Sequence, residues 1–114
     1  MSLPVQNYLR LTGAVPPSPG TLHFNERVNF TVEYAIAIPA GAYIMAIPFS
    51  GGNQVPNTFT SGSELQQPGT GKVSRYFTVA SGAVRVDAIR LMIINTSESL
   101  VLESYWPVDY SFVP

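Results

Sequence analysis

The chain has no cysteine, which excludes a disulfide scaffold, a thiolate zinc site and a cysteine nucleophile. Charge is nearly as scarce: six Lys and Arg stand against seven Asp and Glu, 11% of 114 residues, for a net charge of −1. Nucleic acid and anionic membranes are recognised first through clustered basic residues. No such cluster exists here, so neither is expected as a partner. No run approaches the ~20 apolar residues of a membrane span, and none is expected. A basic stretch followed by an apolar one is also missing at the start, so no signal peptide is expected. Met1-Ser2-Leu3 reads either as a native start or as a vector-derived one, and the second would make the chain an excised domain.

Groups able to do chemistry are few and scattered. His23 is the only histidine, and no Gly-x-Ser-x-Gly elbow accompanies it. Glu26, Glu33, Glu64, Asp87, Glu98, Glu103 and Asp109 show no Asp-x-Asp or Glu-x-x-His spacing, the patterns by which oxygen and imidazole ligands gather round a metal. Gly69-Thr70-Gly71-Lys72 lacks the spacing of a phosphate-binding loop and leads into a strand rather than a helix. We therefore expect no catalytic residue, no metal site and no cofactor. A small hydrolase with two carboxylates meeting in space ranks last among the readings.

What the chain does have is alternation, proline and glycine. Ten prolines and nine glycines without a helical period indicate short strands joined by turns. One domain is expected over residues 1–114, with a Pro-rich lead-in at 4–20. Its Gly13-Ala-Val-Pro-Pro-Ser-Pro-Gly20 run cannot be a paired central strand, and Pro19-Gly20 suits the centre of a type II turn. Val28, Phe30, Val32, Tyr34 and Ile36 alternate with polar neighbours, as on a strand with one wet and one dry face. Residues 43–49 form a nearly continuous apolar run, and Pro48 favours the strand's end or an edge. Residues 55–71 carry little pattern: a crossover with a short edge strand at 58–60, or a recognition loop. In residues 72–79 Arg75 falls among the apolar set with Val73, Phe77 and Val79, which predicts a bulge or an exposed strand end.

The longest alternating segments form a hairpin over residues 84–112, its turn at Asn95-Thr96-Ser97-Glu98-Ser99. Pro107 is expected to divide the second arm and set it at a sheet edge. Tyr105 and Trp106, as neighbours on a strand, face opposite ways: Trp106 inward, Tyr105 outward. The fold class is all-β, a Greek-key sandwich of about seven strands.

Over about residues 9–112 the pattern resembles immunoglobulin-like and fibronectin type III-like modules, although the antibody Cys…Trp…Cys arrangement is absent. Segments such as Glu26-Arg27-Val28-Asn29-Phe30-Thr31-Val32-Glu33-Tyr34 and Val86-Asp87-Ala88-Ile89-Arg90-Leu91 are similar to inner strands of such modules in bacterial secreted or cell-surface proteins. The resemblance implies a spacer or adhesion role, without catalysis, in a larger extracellular protein. Low charge and an open edge strand point to a protein partner or self-association. A carbohydrate-binding module is the alternative, with Tyr105, Tyr43 and Tyr76 as stacking platforms. The binding candidates are thus Tyr105, Trp106, Tyr43 and Tyr76.

Overall fold

The computed structural model describes residues 6–62, 64–82 and 84–114; residues 1–3, read above as a native or a vector-derived start, lie outside them. All the elements among these residues are strands: β1 (Tyr8–Val15), β2 (Gly20–His23), β3 (Val28–Ile36), β4 (Tyr43–Ser50), β5 (Asn53–Gln54), β6 (Thr58–Thr60), β7 (Gly69–Val79), β8 (Val84–Ile94) and β9 (Leu100–Val113). They form two sheets, ordered β1-β3-β7-β6 and β2-β9-β8-β4-β5. Every pairing is antiparallel except β2 with β9.

Nine strands among the described residues stand where about seven were expected, the two-residue β5 having the composition of a turn. The proline run carries the chain out of the first sheet after Val15, and Gly20 re-enters in the second, paired with Tyr110. Gly20 is therefore a strand residue without positive φ, and no type II turn is centred there. Gly51 and Gly52, at φ 57° and 85°, turn β4 back on the two-residue β5, conformations that glycine adopts without steric cost.

The core lies between the sheets, and period two explains its membership. Phe30 of β3 stacks on Phe77 of β7 at 5.8 Å and meets Tyr110 of β9 edge-on at 6.4 Å. Phe77 also lies 5.6 Å from Phe112. Around these rings pack Val28, Val32, Ile36, Ile44, Val86, Ile89, Leu91 and Ile93. The Tyr110 hydroxyl donates to Pro16 O at 2.6 Å, tying β9 to the strand-switching segment. Burial pushes that phenol's pKa up, so it stays a donor through the neutral range.

Two sequence expectations need correction. First, β9 is one strand of 14 residues, not two pieces divided at Pro107; the expected edge position holds for its residues 100–109, beyond the reach of β2. Pro107 is accommodated at a bulge, where β8 advances from Val86 to Ala88 while β9 advances from Tyr110 to Pro107. β2 covers β9 only from Tyr110 to Val113. The Asp109 N–H turns to Ser18 Oγ at 2.8 Å, and by alternation Pro107's missing N–H falls on that same uncovered side. Second, Arg75 is neither bulged nor at an exposed end. Its register with β3 is unbroken, opposite Phe30, and it is 2% exposed.

Candidate functional site

Inward-facing Ile44, Ala46, Ile89, Leu91 and Ile93 leave the alternate residues of β4, β8 and β9 on the outer face of the five-stranded sheet. Cross-strand register arranges them in four rows: Phe49–Ala88–Pro107, Ile47–Arg90–Tyr105, Met45–Met92–Glu103 and Tyr43–Ile94–Leu100. Ten of these twelve are apolar or aromatic. The remaining two form one ion pair, Arg90 Nε to Glu103 Oε2 at 2.7 Å. Ile47 and Met92 are only 6% and 8% exposed although no strand covers them. Their shielding comes from neighbours on the face itself, among which the Phe49 and Tyr105 rings meet edge-on at 5.4 Å. Tyr105 is 53% exposed.

At the Tyr43 end this face runs into a groove of about 530 Å³. Its floor is Tyr43, Met45 and Ile94; its walls are Thr60, Ser61 and Gly62 on one side and Thr96 and Glu98 on the other. Both walls are held. Ser61 and Tyr76 exchange hydrogen bonds, Ser61 N to Tyr76 O at 3.0 Å and Tyr76 N to Ser61 Oγ at 2.9 Å. Gly62, at φ 128°, lies so close to β4 that a Cβ would stand 2.7 Å from Ile44 O, so only glycine fits. On the far wall the Asn95 side chain accepts from the Ser97 and Ser99 N–H groups at 3.0 and 2.9 Å. Glu98 sits at φ 64°, a left-handed conformation uncommon for a residue with a side chain.

Arg75 holds the first wall from beneath. Reaching across from β7, its Nε donates to Ile44 O of the opposite sheet at 2.7 Å. One terminal nitrogen donates to Ser74 O and to Glu64 Oε1, both at 2.8 Å. Its other nitrogen has no partner among the described residues. Together with the Ala42–Gln66 bridge and the Val55 N–H to Pro48 O bond at 3.0 Å, this occupies β4's outer edge. Pro48, as its sequence suggested, lies on that edge side.

A hydrogen bond from its own backbone holds the Glu64 carboxyl below its ordinary value of 4.5; burial opposes this, and the charge and hydrogen bond of Arg75 add to the lowering. A depressed folded pKa stabilises the protein above the unfolded value, and that contribution disappears as pH falls through the folded one. Melting temperature should therefore fall below pH ~4.5, and Glu64→Gln should flatten part of that slope. Equal acid slopes in the two proteins would show that Glu64 contributes nothing.

The four candidate residues do not converge. Tyr105 and Tyr43 share the outer face of the five-stranded sheet, at opposite ends of its rows. Tyr76 lies on the other sheet's outer face, 5.9 Å from Phe59 and beneath the Arg27 guanidinium at 4.0 Å. Trp106 turns inward, half-buried against the core, and its Nε1–H donates to Ser104 Oγ at 2.9 Å. Phe49, Met45, Met92 and Glu98 were not singled out from sequence. The only available signal was that residues 43–49 are apolar at both parities, which also describes a fully buried strand. His23 is exposed, its Nδ1 3.2 Å from Pro114 O. Compared with known proteins, the chain matches no family model, no curated protein and no solved structure.

Proposed function

We propose that this chain is a non-catalytic, immunoglobulin-like interaction and spacer module of a larger extracellular protein, and that it pairs with a second copy through the outer face of β4, β8 and β9. The topology supports the first part. With β1 read as strand A, the orders β1-β3-β7-β6 and β9-β8-β4 are consistent with the A-B-E-D and G-F-C sheets expected of such a sandwich. In that frame β2 is the detached half of strand A, and β5 is a short extension beyond C. The poles of the domain fit a spacer. Tyr8 pairs beside Ala35, at the end of β3, whereas Phe24 N bonds Val113 O near β3's start. The chain thus enters and leaves at opposite ends of a body 48 Å long.

The observation that carries the pairing is the apolar face itself. Four rows about 6.8 Å apart across three strands about 4.8 Å apart make a patch on the order of 300–400 Å². Patches of that size on a monomer are often functional. Two such patches with their rims only approach the ~1,000 Å² that marks a specific interface, so the dimer is weak and transient. A second copy suits the charge pattern, because a two-fold axis can set each Arg90 against the other copy's Glu103. Edge pairing through β9 is the poorer route: Pro107 offers no donor, and an antiparallel pair centred on Glu103 would oppose like charges.

Sedimentation velocity over a dilution series tests the pairing. Concentration-dependent dimerisation is expected, abolished by Tyr105→Asp with little change in melting temperature. A monomer at every concentration, or a dimer indifferent to Tyr105→Asp, removes the reading.

A further inference from the structure

We infer that the groove at the Tyr43 end of the sheet is a binding site for a neutral saccharide. The groove shares Tyr43, Met45 and Ile94 with the outer face of the sheet, at the end away from the Phe49 and Tyr105 rows, and its ligand is argued from its own lining whether or not the chain pairs.

The volume of about 530 Å³ falls within the range of small-molecule sites. The lining then selects the ligand. Tyr43, Met45 and Ile94 give an aromatic and aliphatic floor, which suits the C–H face of a pyranose ring. Around it stand the hydroxyls of Thr60, Ser61 and Thr96 and one carboxylate, Glu98. Each hydroxyl offers both a donor and an acceptor, and a carboxylate accepts from two adjacent sugar hydroxyls. The Ser61 oxygen already accepts from Tyr76 N, so its own proton is free to be donated to a ligand. Among the described residues no Lys, Arg or His lines the groove. Acidic sugars and phosphates would therefore meet Glu98 without a counter-charge. An amine would find a single solvated carboxylate, which attracts a cation only weakly.

The walls are preorganised rather than free to collapse. Gly62 is pressed onto Ile44 O and Arg75 Nε, and the Asn95 side chain fixes the opposite turn. Glu98 keeps a left-handed backbone at that turn, where glycine would be unstrained. Strain retained at the rim of a groove, on the one residue that brings a carboxylate to it, has the form expected of a functional position.

The test is a two-dimensional NMR titration of the 114-residue chain with neutral mono- and disaccharides of the gluco, galacto and manno series. Sialyllactose and glucosamine serve as the acidic and cationic comparisons. For a ligand of hexose size a Kd on the order of millimolar is expected, with shifts confined to Tyr43, Thr60–Gly62, Ile94 and the 95–99 turn. Tyr43→Ala should weaken binding more than tenfold, and Tyr43→Phe should retain it. Because Tyr43→Ala also removes packing, Glu98→Gly is the second variant: it relieves the backbone, so melting temperature should rise while saccharide affinity falls several-fold. The proposal is overturned by no saturable shifts from any neutral sugar at ten times the expected Kd. It also fails on binding by glucosamine or sialyllactose alone, on shifts centred elsewhere, or on undiminished affinity in Glu98→Gly.

Discussion

Phe77→Ala is expected to destabilise the fold by about 3–5 kcal/mol, the range for deleting a buried phenylalanine. The ring is fully buried and contacts both Phe30 and Phe112, so it joins the two sheets rather than filling one of them. Surrounding side chains can collapse only partly into the vacated space, because their backbones are fixed by ladders on both sides. A total stability of roughly 5–15 kcal/mol makes this a large share. The melting temperature should drop by more than about 10 °C. Phe77→Leu, which keeps most of the volume, should cost less than about 1.5 kcal/mol. Urea denaturation of the two variants measures both. A loss under about 1.5 kcal/mol for the alanine variant would mean that the ring cluster is not the joint between the sheets.

Arg75→Ala is expected to cost about 2–4 kcal/mol, and here opposing effects must be weighed. Removing the guanidinium leaves Ile44 O facing the interior without its donor, worth about 1–3 kcal/mol, and opens a cavity where the stem lay. Against that, the wild type buries a cation whose only anionic partner among the described residues, Glu64, is itself 60% exposed, and one of its nitrogens has no partner among them. Burying an arginine on such terms is expensive. Arg75→Met separates the terms, since methionine restores the stem but not the donors. Its expected cost is about 1–3 kcal/mol, the carbonyl term alone. Wild-type or greater stability in Arg75→Met would mean that desolvation outweighs the hydrogen bonds. Saccharide affinity in the same variant reports whether Arg75 positions the Gly62 wall of the groove.

Much of the fold was legible because strands announce themselves locally. The alternation of β3 predicted its bounds, and the turn residues around Gly51 and Asn95 fell where expected. Tyr105 was placed outward and Trp106 inward by parity alone, as the structure has them. The error over Pro107 has a physical source. A missing N–H matters only on a side that is paired, and which side β2 pairs, and for how far, is a long-range fact. Arg75 was misread for a similar reason. Its buried partner, Ile44 O, belongs to a strand 31 residues away in sequence and in the other sheet.

The sequence by itself determined an all-β chain without thiols, with little charge and with strands whose inner faces can be listed by period two. Those properties depend on neighbours within a few residues. The tertiary structure alone decided which outer face stays apolar and where the groove opens. The face needs β4, β8 and β9 side by side. The groove needs the segment after β6 folded against β4 by Arg75 and Gly62, contacts that span both sheets and that no local pattern encodes.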